Sequence, residues 1–348
     1  MMHEEEKVCT VKRIESGKTK RMGNQLRVRK TGRILFKYAV YLFLVVLISF
    51  FLPRMIPGSP LSAIAGEGSG YSGTIPAAAL KQFEEYYAPE LPMHMQFARY
   101  LKNLFRLDLG YSFFYKTPVI DRILGAAGWT LRLSLTALLL ASVIGITLGA
   151  AMALSGRGHG AALLPPLLAV QSVPTFLLAA VLQIVLAYKL RLFPATGAVT
   201  PGMLPGQPGY LADMLRHMTL PLIILTISEI PSIAIFAYGS TMKIKRMPYV
   251  AFARYLNISP RQIRWKFIIK NIMPDLMGKL NIQAIMCIMG SMFVEAVFSF
   301  PGLGQLLKNA TNYRDYPLMQ GILLISCLYG IGINLIFEML LTRQTRVS

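Results

Sequence analysis

The chain has 348 residues, of which 54% are hydrophobic and only 15% are charged, and its mean hydropathy is +0.50. A composition this apolar excludes a soluble globular domain and predicts a polytopic membrane protein. The formal net charge is +20, but the bases concentrate in the N-terminal tail and in residues 243–274, which indicates membrane topology and excludes a nucleic-acid partner.

Residues 1–33 form a basic tail that we predict to be cytoplasmic and disordered. Within it, Gly17-Lys18-Thr19 does not complete a phosphate-binding loop, because Lys12 stands where that motif needs its first glycine. The sequence therefore predicts no nucleotide site. The first transmembrane helix runs from Ile34 to about Ile56.

Residues 57–127 form a long external segment in which six bases balance six acids. Its aromatic and leucine side chains predict short amphipathic helices that lie against the membrane. These side chains are Phe83, Tyr86, Tyr87, Phe97, Tyr100, Leu101 and Phe105.

Five further transmembrane helices follow. They are Trp129–Leu154, Leu163–Ala187 (broken by Pro174), His217–Thr241, Leu280–Phe300 and Met319–Leu341. The second span carries a face of small residues suited to close helix packing, namely Gly145, Gly149, Ala150, Ala151 and Ala153. The predicted fold is an all-α polytopic membrane protein with six transmembrane helices in one domain, residues 34–341, and with both termini cytoplasmic, the second in a short tail, residues 342–348.

Acidic residues inside a bilayer are costly and usually face the bundle interior, a partner or a water path. Glu229, beside Pro231, and Glu295 are therefore predicted to belong to the translocation path or its gate. The alternative is a structural role in which each carboxyl group is protonated or hydrogen-bonded. We find no Ser/His/Asp or Cys/His set and no metal-ligand spacing, so the sequence predicts neither an enzyme nor a metal site.

The loop between the fourth and fifth spans, residues 242–275, is strongly basic and predicts a cytoplasmic helix–turn–helix. Pro248 can open a first helix, Asn257 falls where a left-handed residue is needed, and Ser259 followed by Pro260 can cap a second helix that stops or kinks at Pro274. An apolar stripe on the first helix, which consists of Tyr249, Phe252, Ala253 and Leu256, needs a surface to bury against. The alternative is a solvated loop without further function.

After the fifth span, residues 300–317 are predicted to turn back toward the membrane, since the glycines and prolines there suit a sheltered, irregular backbone. The residues assigned to this external re-entrant loop are Phe298, Pro301, Gly302, Gly304, Asp315, Tyr316 and Pro317.

The sequence resembles the B-type permease subunits of dipeptide, oligopeptide and nickel ABC importers over residues 34–341. Four segments carry the resemblance: Arg54-Met55-Ile56-Pro57-Gly58-Ser59-Pro60; Asp108-Leu109-Gly110-Tyr111-Ser112 with Pro118-Val119; Tyr249-Val250, Ala253-Arg254 and Asn257-Ile258-Ser259; and Glu295–Gly304 with Arg314-Asp315-Tyr316-Pro317. Asn257 stands where the family has glycine, Ser59 where it has aspartate, and Ala251 and Phe252 replace the first two positions of the loop signature.

The resemblance implies that the basic loop couples the chain to a separate ATPase, with Tyr249, Phe252, Ala253 and Leu256 as the docking face and Arg254 available to pair with acidic groups. It also implies alternating access in the plasma or inner membrane of a prokaryote. The implied partners are two cytosolic ATPase subunits that carry ATP and Mg²⁺, a second related permease, an external solute-binding protein and the lipid bilayer.

The sequence leaves the substrate and the energy source open. Peptides lead as the substrate, while nickel, glutathione and sugars remain alternatives. The alternative function is an ion- or proton-coupled secondary transporter that uses Glu229 and needs no ATPase.

Overall fold

The computed structural model describes residues 36–51, 90–112, 114–313 and 315–344, together with Gly32 and Met55. The predictions for the N-terminal tail, for Phe83, Tyr86 and Tyr87, for most of the segment around Pro57 and for Arg314 lie outside the described residues.

The described chain is built almost entirely of helices. They are α1 (Phe36–Phe51), α2 (Met93–Phe105), α3 (Val119–Leu154), a 3₁₀ helix (Gly156–Leu163), α4 (Leu164–Ser172), α5 (Thr175–Leu182, continued by a π-helical stretch, Gln183–Lys189), α6 (Tyr210–Lys245), α7 (Pro248–Tyr255), α8 (Pro260–Phe298, with a π-helical stretch at Ile263–Ile269), α9 (Leu303–Asn312) and α10 (Tyr316–Gln344). Two strands, β1 (Tyr111–Ser112) and β2 (Thr117–Pro118), pair antiparallel. The sequence did not predict this small hairpin.

Four of the described helices, α3, α6, α8 and α10, are long and apolar enough to cross a membrane. The pair Gly160–Ser172 and Thr175–Lys189 also passes the test together, with a bend of 87° between its halves. Val173 is extended and precedes Pro174, as expected for a residue before proline. The predicted break at Pro174 is therefore confirmed, while the number of six spans is not, because α1 is apolar but short over its described length.

The fifth span departs from its prediction. Of the two outcomes predicted at Pro274, a stop or a kink, the stop does not occur, because α8 runs continuously from Pro260 to Phe298. Proline in a helix interior costs about 3 kcal/mol, but Ile272 and Leu276 on either side are fully buried. Burial of two such side chains contributes about 3–6 kcal/mol, which offsets that cost. The predicted loop 242–275 is accordingly shorter, since α6 extends to Lys245 and α8 begins at Pro260.

The small-residue face of the second span packs against α6. A Cβ atom at Gly149 would overlap the backbone carbonyl of Ala234, so the two helices approach at a distance that only glycine permits. Gly145, Ala150 and Ala153 are also buried, whereas Ala151 is exposed. The predicted packing face is confirmed with that exception.

Contacts around α2 and the start of α10 hold together the segment that was predicted to be external. Phe97 and Tyr100 of α2 pack their rings against Phe50 of α1, but Phe105, predicted to belong to the same apolar face, is 88% exposed. Asp315 accepts hydrogen bonds from the Ser112 hydroxyl at 2.5 Å and from the Phe114 amide at 3.2 Å, and so fastens the β1–β2 hairpin to the start of α10.

Candidate functional site

The basic segment forms the predicted helix–turn–helix. Pro248 occupies the first turn of α7, and Asn257, just after the helix, has φ +54° in the left-handed region that asparagine tolerates better than most residues. The Ser259 hydroxyl accepts a hydrogen bond from the Gln262 amide at 3.4 Å and caps α8. These three local predictions are confirmed, and α7 is thereby fixed between the ends of two long helices.

The predicted apolar stripe on α7 divides between two faces. Ala253 is buried with Val250 against Ile263 and Ile268, so it belongs to the protein's own core. The exposed face consists of Tyr249, Phe252, Tyr255 and Leu256, which are 40%, 63%, 85% and 59% exposed. Tyr255 was missed by sequence reasoning, although its position three residues after Phe252 places it on the same side of the helix. The exposed set is called the aromatic face below.

Arg254 lies on the other side of α7. At 3.6 residues per turn it is about 160° around the helix from Phe252. It lines a cavity of about 470 Å³ whose other described lining residues are Leu154, Lys245, Asn257, Ile258, Ser259, Pro260, Ile263, Arg264 and Ile268. The structure therefore separates Arg254 from the aromatic face with which the sequence had grouped it. We call this cavity the basic pocket.

Glu229 lies between α6 and α8 and is only 5% exposed. Its carboxylate accepts a hydrogen bond from the Gln283 amide. A chain of contacts continues from there, because Ser232 donates to the Gln283 oxygen at 3.1 Å and the Lys279 ammonium donates to the Ser232 hydroxyl at 2.6 Å. Pro231 is buried beside this network. The four polar side chains thus tie α6 to α8 at the level of the apolar spans.

Glu295, also predicted to belong to the path or gate, lies near the end of α8. It is fully buried against the start of α9. Its carboxylate accepts hydrogen bonds from the Gly304 amide at 2.8 Å and from the Thr130 hydroxyl at 3.1 Å, while Thr130 accepts from the Leu303 amide at 2.8 Å. An acceptor at a helix N-terminus satisfies amides that have no partner within the helix. These contacts support a structural role for Glu295, in which it joins α3, α8 and α9.

The predicted re-entrant loop is a tight turn followed by a helix. Phe298 is buried at the end of α8, Ser299 adopts the left-handed conformation with φ +49°, and Pro301 and Gly302 lead into α9. A Cβ atom at Gly304 would overlap the backbone of Met292, so this glycine lets α9 fold back against α8. Asp315, Tyr316 and Pro317 then start α10.

The described residues hold no group of three or more His, Cys, Asp or Glu side chains placed to bind a metal ion. The aromatic face, the basic pocket and the Glu229 network are three features of the described residues that can serve a function.

Comparison with known proteins identifies the family to which this chain belongs. The family described as the binding-protein-dependent transport system inner membrane component matches residues 145–346, more than half of the chain. The chain belongs to this family. The matched region begins inside α3 and includes the basic helix–turn–helix, the α8–α9 turn and α10.

Named relatives are similar over most of their length. The chain is 29% identical over 317 residues to the di/tripeptide transport system permease protein DppB of Pseudomonas aeruginosa, which is 86% of this chain and 92% of that protein. It is 29% identical to the oligopeptide transport system permease protein OppB of Salmonella typhimurium, over 82% of this chain and 87% of that protein. The glutathione transport system permease protein GsiC of Escherichia coli is also 29% identical, over 86% and 92%.

A solved structure of the MetNI methionine ABC transporter in an inward facing conformation shares the fold. The superposition has a TM-score of 0.52 at 16% sequence identity and covers 64% of this chain and 96% of that chain. Membership of the binding-protein-dependent transport family favours a permease subunit over the alternative, a secondary transporter that uses Glu229.

Proposed function

We propose that the chain is the membrane permease subunit of an ATP-driven importer of peptides. It forms half of the translocation path, a second related permease forms the other half, and an external binding protein delivers the substrate. Two of the named relatives carry di/tripeptide and oligopeptide transport in their names, and a third carries glutathione, itself a small peptide. Peptides are therefore the favoured substrate class.

The observation that carries the proposal is the aromatic face of α7. Four large aromatic or aliphatic side chains lie exposed on one side of α7 and its C-cap, within the basic segment. Exposed apolar patches of this kind mark interaction sites, and aromatic residues are enriched in the buried centres of protein interfaces. A separate cytosolic ATPase subunit is the partner that the family's mode of transport requires.

The position of α7 suits it to transmit movement of the ATPase to the membrane-spanning helices. It is held between α6 and α8, both long enough to cross the membrane. The Glu229 network joins these two helices farther along their length. A displacement of α7 by the ATPase would therefore move α6 and α8 together, which is the rigid-body motion that alternating access needs. ATP and Mg²⁺ bind to the partner subunits, and this chain supplies no catalytic group.

One face of α8 is suited to line the path. Ile282, Met286, Met289 and Phe293 recur at intervals of four, three and four residues and are each 53–55% exposed. Flexible methionine side chains adapt to ligands of different shape, as a peptide importer requires. The orientation that follows from this proposal places both termini and α7 in the cytosol of a prokaryotic cell and the β1–β2 hairpin outside.

The test is co-purification of the ATPase with the Tyr249→Asp/Phe252→Asp variant. Two carboxylates on the aromatic face should abolish the association, because burying an unpaired charge at an interface is costly. Phe105→Asp is the control, since Phe105 is also an exposed aromatic side chain but lies on the side proposed to be external. The proposal fails if the ATPase stays bound to the double variant or if wild-type preparations never contain an ATPase.

A further inference from the structure

The basic pocket collects cations from three separate elements. Lys245 ends α6, Arg254 lies on α7 and Arg264 lies in the first turns of α8. Among the described residues that line the cavity, none is acidic. Three positive side chains surround a cavity of about 470 Å³ and repel one another. An anion bound in the cavity would offset this repulsion, so the cavity is suited to an anionic ligand.

The pocket lies at the ends of membrane-spanning helices. Leu154 is the last residue of α3 and Lys245 the last of α6, and both helices are long and apolar enough to cross a membrane. Trp265, next to Arg264, is 59% exposed, and tryptophan favours the level of lipid headgroups. These positions place the cavity at the membrane surface.

The pocket and the aromatic face are on opposite sides of α7. None of Tyr249, Phe252, Tyr255 and Leu256 lines the cavity. An ATPase that docks on the aromatic face therefore approaches α7 from the side away from the pocket. A docked ATPase therefore leaves the pocket free for a ligand that comes from the membrane side.

We propose that the basic pocket binds the phosphate-bearing headgroup of an anionic phospholipid from the leaflet it faces. This inference rests on the proposed function, which makes that leaflet the cytoplasmic one. The two guanidinium groups of Arg254 and Arg264 suit bidentate contacts to phosphate oxygens. Leu154, Ile258 and Ile263 provide apolar surface for the glycerol and the upper acyl chain. Basic pockets between transmembrane helices on the cytoplasmic side are suited to such headgroups.

Lys245 also contributes to helix packing, which affects the choice of variants. Its ammonium donates a hydrogen bond to the Ala153 carbonyl at 2.8 Å, at the end of α3. Removal of Lys245 would therefore disturb helix packing as well as the pocket. Arg254 and Arg264 are exposed side chains on the pocket wall, so they can be neutralised without creating a cavity.

The test measures phosphatidylglycerol binding to the purified full-length complex by native mass spectrometry during a lipid titration. Arg254→Gln/Arg264→Gln is compared with Arg261→Gln/Lys266→Gln, which removes two exposed charges from the same segment outside the pocket. We expect the dissociation constant to rise about thirtyfold in the pocket variant. The control variant should bind phosphatidylglycerol like the wild type, and phosphatidylcholine should not distinguish the proteins.

Three results would overturn the inference. Equal weakening in both variants would mean a diffuse charge effect without a site. Displacement of phosphatidylglycerol by millimolar inorganic phosphate would mean that a free anion is the ligand. Loss of the ATPase from the pocket variant with unchanged lipid binding would assign the pocket to the protein partner. A wild-type chain that purifies without any ATPase refutes the proposed function instead, and lipid binding can still be measured on it.

Discussion

The strongest structural prediction concerns Glu295→Leu. The leucine side chain has a similar size but cannot accept the hydrogen bonds that Glu295 receives from the Gly304 amide and the Thr130 hydroxyl. Both donors lie at the contact of α3, α8 and α9, where Glu295 is fully buried. The substitution therefore leaves two polar groups without their partner at the start of α9.

The expected cost follows from those two groups. A buried donor left unsatisfied costs about 1–3 kcal/mol, and single hydrogen bonds between transmembrane helices are worth up to about 1.7 kcal/mol. Glu295→Leu should thus lower the free energy of unfolding by about 2–4 kcal/mol. Glu295→Gln retains an acceptor oxygen in the same place and should cost about 1 kcal/mol or less.

Unfolding can be followed by titrating the detergent-solubilised chain with a denaturing detergent and recording tryptophan fluorescence. Trp129 is a local probe, because its ring contacts Phe300 edge-on with centroids 5.4 Å apart, next to the affected turn. A double-mutant cycle with Thr130→Val should give a coupling energy of about 1 kcal/mol or more, since both residues serve the same helix end. Equal costs for Glu295→Leu and Glu295→Gln, or strict additivity with Thr130→Val, would mean that these hydrogen bonds do not stabilise the start of α9.

Three further substitutions test other contacts. Gly304→Ala should lower the midpoint of thermal unfolding by several degrees, because its Cβ overlaps the Met292 backbone, and an unchanged midpoint would contradict this close approach. Asp315→Asn should make the β1–β2 hairpin more sensitive to limited proteolysis, since one acceptor for Ser112 and Phe114 becomes a donor; Asp121→Asn is the control. Gly149→Leu should separate α3 from α6 and reduce the yield of folded protein, whereas Gly239→Leu, where a Cβ meets nothing within 4 Å, should be tolerated.

Local chemistry made part of the structure predictable. Pro248, Asn257 and Ser259 each specify a backbone conformation within a few residues, so the ends of α7 and the start of α8 followed from the sequence. The break at Pro174 is of the same kind, because a proline constrains the residue before it.

Features that depend on distant contacts did not follow from the sequence. The stop that was one of two predicted outcomes at Pro274 did not occur, because buried neighbours hold α8 together through the proline. The split between Ala253 and Tyr255 depends on where Ile263 and Ile268 pack. The β1–β2 hairpin has strands of only two residues, too short for any periodicity, and it is held by Asp315, about 200 positions away.

The hydrogen-bond partners of Glu229 also could not be predicted from the sequence. The sequence marked Glu229 as a costly acid beside Pro231, but nothing in it named Gln283, Ser232 and Lys279 as neighbours. These contacts make the carboxylate part of a polar connection between α6 and α8.

The decisive measurement is peptide uptake into proteoliposomes that contain this chain, its partner permease and the ATPase, with the binding protein outside and ATP enclosed. We predict accumulation that requires ATP and the binding protein and that is lost with Tyr249→Asp/Phe252→Asp. Uptake driven by an ion gradient in vesicles without the ATPase would contradict the account.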